Sequence, residues 1–335
     1  MKIVECTMPA DRAGMTAAYE LPAFDAAQLQ SQAVDVHLCA VGTGAELRAH
    51  CSLWWRHTPD FEGRRAGAIG HFASADEEAS AALIKYATTR LRDEGCILAV
   101  GPMDGNTWRR YRFVTDNGSG EQVELPFFLE PANPPEWPQQ FVRAGFTPLA
   151  EYYSALNDDL SRADRRLHAI AERLEKAGVH VRSAAGSEML DQLKRIYAVS
   201  RVSFTHNFLY TELPEADFLA QYTPMLPRIR PELILLAERE GELVGYLFGV
   251  PDFAQAARGQ AIDTFLIKTV AILPEPSLRG LGGLLVGLAH EAGQRLGFKR
   301  CIHALMHEDN VSRNISNHYA VTMRRYTLFS RELAG

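Results

Sequence analysis

The sequence predicts an α/β chain in which one strand-and-helix unit occurs twice. Three observations carry that expectation. Short apolar runs of strand length alternate with longer runs of helical period in each half. A single shift of register aligns Leu83, Ala87, Arg90, Leu91 and Cys96 with Leu288, Ala292, Arg295, Leu296 and Cys301, so both halves read strand, loop, helix, strand. The turn Arg239-Glu240-Gly241-Glu242 between two apolar runs marks a hairpin.

In the first half, "DVHLCAVG", "LRAHCSLWWRH" and "AGAIGHFA" read as strands, "DEEASAALIKYATTRLRDEG" as a helix and "CILAVGPM" as the strand after it. In the second half the strands are "VHVRS", "ELILLAERE", "ELVGYLFGV" and "TFLIKTVAIL", followed by the helix "GGLLVGLAHEAGQRLG" and the strand "CIHALMH". Between them "DDLSRADRRLHAIAERLEKAG" reads as a charged amphipathic helix. The boundary falls near Leu160, giving domains 1–160 and 161–335, each large enough to bury its own core.

Composition bounds the function. An apolar fraction of 47% and a charged fraction of 23% are those of a soluble globular protein. Thirty-five Lys and Arg against 41 Asp and Glu leave a net charge of −6, which argues against nucleic acid or an anionic membrane as the main partner. No apolar run reaches membrane-spanning length, and "MKIVECTMPADRAG" lacks the features of a secretory signal. Five widely spaced cysteines (Cys6, Cys39, Cys51, Cys96, Cys301) read as reduced thiols, which implies a cytoplasmic location.

The two copies differ at one helix entrance. Where the second has Arg279-Gly280-Leu281-Gly282-Gly283, the first has Ser74-Ala75-Asp76-Glu77-Glu78. Glycines allow close backbone approach and a helix start presents unpaired N–H groups, so the second entrance suits an anion such as a phosphate. Acidic residues complement the helix dipole themselves, so the first entrance is internally capped and repels one.

The second half resembles the GNAT superfamily of acyl-CoA-dependent N-acyltransferases. The resemblance rests on the order of "AEREGELVGYLFG", "IKTVAIL", an Arg-x-x-Gly loop with Arg279 and Gly282, a helix, a strand and an Asn-bearing helix. The first half, with "WPQQFVRAGFTPLAEYYSALNDDL", looks like a degenerate copy of the same fold. The resemblance implies two tandem GNAT-like domains, α/β (α+β) in class, each a mixed, mostly antiparallel central sheet flanked by helices. It also implies acetyl-CoA or another acyl-CoA as cofactor and a small-molecule amine as acceptor, with a homodimer as one possible assembly. It places the cofactor on Val270, Ala271 and Ile272, on the loop Arg279, Gly280, Leu281, Gly282, Gly283 and Leu284, and on Asn310, Ser312 and Asn314. Leu284 stands where the family has a small residue. That departure keeps a second reading open, a non-catalytic acyl-CoA-binding or sensing protein that retains the fold.

Catalysis needs a group that takes a proton from the acceptor amine. His303, His307 and Glu308 lie on or just after the strand beside the cofactor, and the even spacing of the two histidines places them on one strand face. Each histidine also reads as an ordinary hydrogen-bonded one, and a metal site lacks a third well-spaced ligand, so no metal is expected. Tyr319 reads either as the acid that protonates the departing thiolate, as the resemblance implies, or as a packing tyrosine. "NTWRRYRF" offers Trp108, Arg109, Arg110 and Arg112, either as an acceptor-binding cluster at the domain interface or as a strand with solvated arginines.

Overall fold

The computed structural model describes residues 1–6, 15, 19, 21–22, 26–118, 124–162, 164–186, 188–309 and 312–333. The first half runs β1 (Lys2–Cys6), α1 (Ala26–Ser31), β2 (Val36–Val41), β3 (Leu47–Trp54), β4 (Ala66–Ser74), α2 (Glu77–Asp93), β5 (Leu98–Gly101), β6 (Phe113–Asp116), α3 (Glu136–Arg143) and β7 (Thr147–Asn157). The second runs α4 (Arg166–Lys176), β8 (Val179–Ser183), α5 (Met189–Ser203), α6 (Glu215–Tyr222), β9 (Ile234–Arg239), β10 (Glu242–Pro251), α7 (Phe253–Ala257), β11 (Thr264–Ile272), α8 (Leu281–Arg295), β12 (Arg300–His307), α9 (Ser312–Ser316) and β13 (Val321–Glu332).

Local chemistry explains most of these elements. The β9–β10 hairpin turns on Glu240 and Gly241, both at positive φ (55° and 85°), the conformation a two-residue turn needs to match strand twist. Helix α2 buries Leu83, Ile84, Ala87 and Leu91, one stripe at helical spacing. The helix expected from residue 158 starts only at Arg166. Ahead of it, the Asp159 carboxylate accepts from the Ser161 N–H and hydroxyl, and Asp164 accepts from the Arg166 N–H. Such side-chain bonds hold the backbone in turns rather than a helix.

The strands form one sheet in the order β1-β2-β3-β4-β5-β13-β7-β12-β11-β10-β9-β8, with β6 beside β13. The two halves are therefore laid end to end about the central strands, as the internal repeat predicts. Their closing strands are exchanged. β7 ends the first half yet lies between β12 and β13, and β13 ends the second half yet lies between β5 and β7, all antiparallel. The division at residue 160 falls just after β7 in sequence, while the sheet runs across it without a break.

One apolar cluster lies under α2 and α3, a second under α4 and α8, and a third on the opposite face of the second half under α5 and α6. All five cysteines are unbridged and buried. No described helix is long and apolar enough to cross a membrane.

Candidate active site

Each half contains one parallel strand pair, and each pair parts after a few residues. β4 pairs with β5 over Ala66–Ala68, and β11 with β12 over Thr264–Ile267. Just there the outer strand carries an extra residue relative to its antiparallel neighbour. In β4 the register slips opposite His50–Ser52, and His71 sits at φ 46°; in β11 it slips at Lys268, between the partners of Phe248 and Gly249. A bulge bends its strand and raises its twist, which turns β4 and β11 away from their parallel partners.

The two gaps that result differ. In the first half the chain after β5 fills its own gap. The Met103 N–H donates to the Ile69 carbonyl at 2.8 Å, and the Asp104 carboxylate accepts from the His71 N–H at 2.7 Å. Gly70 permits this approach, because a Cβ there would stand 2.4 Å from the Met103 oxygen. Burial raises Asp104 to about 6 and lowers His71 to about 4, so at neutral pH the histidine is neutral while Asp104 remains mostly ionised. In the second half, among the described residues, no hydrogen bond joins Lys268–Ile272 to Ala304–His307.

The helix entrances differ in the same sense. Asp76 caps α2, its carboxylate accepting from the Ala79 N–H at 2.9 Å and from Arg48 at 2.7 Å. α8 has Gly280 at its cap, φ 87°, with no side-chain cap. Its first bond is from the Leu284 N–H to the Gly280 carbonyl, which leaves the N–H groups of Leu281, Gly282 and Gly283 without partners among the described residues. These three amides and the positive end of the helix dipole form an anion-receptive rim. Leu284 takes no part in it: its N–H is engaged and its side chain is 7% exposed, in the core. Arg279 is exposed, and its guanidinium has no acidic partner among the described residues.

Val270 and Ile272 line the gap on the α8 side, with Ile272 Cδ1 3.2 Å from where a Gly282 Cβ would stand, while Ala271 packs toward α5 and α6. Helix α4 braces the rim from outside: Arg173 donates to the carbonyls of Ser277 and Arg279. Beyond α4 a cavity of about 200 Å³ is lined by Arg162, Asp164, Arg165, Arg166, His318 and Tyr319. The sequence reading passed over these arginines because a charged helix face is their ordinary role.

The candidate acid–base residues separate. His303 and His307 do not share a strand face. Leu305 sits at φ 59° and the register against β7 slips between His303 and Met306, so an inserted residue breaks the alternation. His303 points under α8, 4% exposed, with Nδ1 bonded to Ser316 Oγ and Nε2 to His290 Nε2, both at 3.0 Å. Burial, with His290 beside it, pushes His303 down to about 3, so it is a poor base at neutral pH. Ligand atoms of His290, Cys301 and His303 lie within 4.8 Å of one another, a third neighbour that sequence spacing did not reveal. Both His303 nitrogens are engaged and burial raises the Cys301 thiol well above its ordinary range, so the cluster reads as a hydrogen-bonded core element.

His307 lies on the opposite face, edge-on to Tyr152 at 4.8 Å, and its Nδ1 accepts from the Asp309 N–H. Glu308 is paired with Arg313 at 2.9 Å and with Arg325, which occupies its oxygens and removes it as a base. Tyr319 is 3% exposed, its hydroxyl has no hydrogen-bond partner among the described residues, and its ring stands edge-on to His290. Burial raises its pKa. Asn314 is exposed on α9; Ser312 opens that helix, and Asn310 lies outside the described residues.

The Trp108–Arg112 segment is a series of turns rather than a strand, and its residues diverge. Trp108 packs on Phe204, Tyr210 and Phe218 and donates to the Thr211 carbonyl, tying the first half to the α5–α6 connection. Arg109 turns back to the Gln32 carbonyl, and Arg110 is exposed. Arg112 is 8% exposed and reaches β12 at the Leu305 carbonyl. The four therefore do not form one cluster.

No protein-family model matches the sequence, and neither does any curated protein. Solved structures are similar in fold. A glucosamine N-acetyltransferase region of a fungal multi-domain β-N-acetylglucosaminidase aligns with TM-score 0.54 at 13% identity over 88% of this chain; the chain spans only 33% of that protein. A GCN5-related N-acetyltransferase from Sphaerobacter thermophilus aligns with TM-score 0.51 at 11% identity, covering 89% of this chain and 81% of that one. A tandem GNAT protein from the clavulanic acid biosynthesis pathway aligns with TM-score 0.50 at 13% identity, covering 96% and 91%. The doubled unit, its parted parallel strands and these likenesses agree: the chain has the tandem GNAT fold.

Proposed function

We propose that the chain is a cytoplasmic N-acyltransferase that moves an acetyl or other acyl group from coenzyme A to the amine of a small-molecule acceptor. The observation that supports it is the contrast between the gaps: the second half leaves its parted strands unbridged beside a helix entrance with three unpartnered amides. Those residues fit the cofactor. The amides of Leu281, Gly282 and Gly283, with Arg279, would hold its pyrophosphate, and the β11 edge at Val270–Ile272 would lie along its pantetheine arm. Acyl-CoA supplies an activated thioester. What the chain contributes is positioning of an amine against that carbon and exclusion of competing water. Since His303 and Glu308 are engaged, the acceptor amine loses its proton to solvent or to a group of its own. Nucleic acid and membrane are not expected partners, and two copies of the chain could associate without changing this site.

A thiol-release assay with a panel of small amines, run beside calorimetric titration with coenzyme A, tests the proposal. Thiol release that needs an amine supports it; absence of coenzyme A binding removes it. One observation favours the non-catalytic alternative. Tyr319, the candidate acid, is buried with its ring edge-on to His290. Tight coenzyme A binding without thiol release for any amine would select that reading.

A further inference from the structure

We propose that Arg112 and His307 form a recognition site for a carboxylate carried by the small-molecule ligand, on the α5 face where β12 parts from β11. This deepens the transferase reading and rests on it in taking that ligand to be the acceptor.

Arg112 is a buried cation whose charge is not matched. Its Nε donates to the Tyr111 carbonyl at 2.9 Å and its Nη1 to the Leu305 carbonyl at 3.2 Å. The Tyr111 and Tyr152 rings, set edge-to-face to each other, lie against it at 3.9 and 4.1 Å. Among the described residues no carboxylate pairs with it and nothing bonds its Nη2 edge. Ring faces and neutral carbonyls offset part of the desolvation of a guanidinium, but buried arginines ordinarily meet an anion. Glu308, the residue after His307, is already shared by Arg313 and Arg325.

His307 supplies the second donor. Because the Asp309 N–H donates to Nδ1 at 3.1 Å, the neutral ring carries its proton on Nε2. That Nε2 is buried and has no hydrogen-bond partner among the described residues. An unsatisfied buried N–H is costly, so such a group points to an absent acceptor. It also means that His307 acts here as a donor and not as the base its residue type suggests. Burial lowers its pKa; the Asp309 and Glu308 charges offset part of that and the Arg112 charge adds to it, for a net downward shift that favours the neutral ring. Both groups pack on Tyr152, with Phe208 at 5.6 Å from the imidazole as an apolar cover. One cation and one neutral donor together match a single negative charge spread over two oxygens. That is a carboxylate better than a phosphate.

The test uses the full chain with 15N-labelled histidine. First, the His307 nitrogens should report the Nε2–H tautomer; the Nδ1–H tautomer would overturn the proposal. Second, titration with acetate should shift the His307 Nε2 signal, while acetamide should not. A shift with inorganic phosphate but not with acetate would overturn the carboxylate assignment. Third, amino acids and their carboxamides are compared as acceptors. The acids should be favoured at least tenfold in kcat/KM, and His307→Phe, which keeps the ring packing and lacks the donor, should erase most of that preference while melting normally. Arg112→Met should act the same way if it folds; His307→Phe carries the test if it does not. Equal turnover of acids and amides would remove the site and leave the transferase. An acetate-dependent shift without turnover of any amine would leave the anion site and remove the transferase.

Discussion

The two halves place the same bulge in their fourth strands, at His71 and at Lys268, and use the gap it opens in opposite ways. In the first, Met103 and Asp104 reach back across the gap, and Asp76 and Arg48 neutralise the helix entrance. In the second, eight residues separate β11 from α8 instead of two, the entrance is glycine, and the gap is left unbridged. The two copies thus differ at a few residues on the edge of a shared scaffold, and on the proposed function those residues decide which copy receives the anionic ligand. The sheet itself is common to both.

The two copies also depend on each other, because their closing strands are exchanged. Cutting the chain after residue 160 takes β7 away from β12 and β13 and takes β13 away from β5. We expect residues 161–335 alone to lack a cooperative thermal transition, and the two fragments to regain one when coexpressed. Circular dichroism melts of the single and paired fragments check this. A stable, cooperative 161–335 fragment would mean that the copies are independent after all.

The next largest effect concerns the uncapped helix. Gly283→Asp places a negative charge among the three unpartnered amides. It does so with little crowding, since a Cβ there meets only Leu167 at 3.7 Å. Asp suits the first turn of a helix, so the melting temperature should hold while coenzyme A binding weakens by about 2–4 kcal/mol. Gly282→Asp should act alike but with more strain, because its Cβ would stand 3.2 and 3.3 Å from Ile272 and Ile315. Calorimetry on both variants separates charge from packing. Undiminished affinity in both would move the cofactor elsewhere.

A third contrast appears with pH. Burial holds His290 at about 4 and His303 at about 3, against an ordinary value of 6.5. The unfolded chain binds those protons first, so this contribution is complete above about pH 6.5 and is lost as pH falls toward 4 and 3. His71 in the first half has the same sign, but Asp104, raised by burial to about 6, has the opposite one: its contribution is present below its ordinary range and is lost as pH rises through about 6. Acid therefore weakens the second half more. For His290 alone the loss between pH 7 and 5 is about 2 kcal/mol. Denaturant titrations at the two pH values should show a smaller loss in His290→Gln than in the parent. Equal losses would show that the histidine pair is not the acid-sensitive element.

Much of the fold was legible in the sequence because it rests on local signals. The hairpin at Glu240-Gly241, the apolar stripe of α2 and the strand runs of both halves are set by nearest neighbours. β1, α5 and β13 were not read: "VTMRRYTLFSRE" interrupts its alternation with paired arginines, and one of these, Arg324, is buried only because Glu130 from the other half meets it. The contrast between the helix entrances was visible from Asp76 and the glycines. The plug was not, since nothing local tells that Met103 and Asp104 return to β4. The strand-face reading of His303 and His307 failed for a similar reason, because the positive φ at Leu305 is imposed by packing against β7.

The smallest effect tests which of the two obstructions keeps the first half closed. In Asp76→Ala the Ala79 N–H loses its cap, and Arg48 retains only Glu78 at 3.6 Å, so stability should fall by about 1 kcal/mol. The helix entrance then resembles that of α8 in having no acidic cap. If the cap alone excluded a phosphate, this variant would bind a second equivalent of coenzyme A. We expect it not to, because the Met103 amide and the Asp104 carboxylate still occupy the β4 edge that the pantetheine arm would need. Calorimetric stoichiometry therefore should stay at that of the parent. A rise in stoichiometry would show that charge at the helix entrance, rather than the chain folded into the gap, distinguishes the two copies.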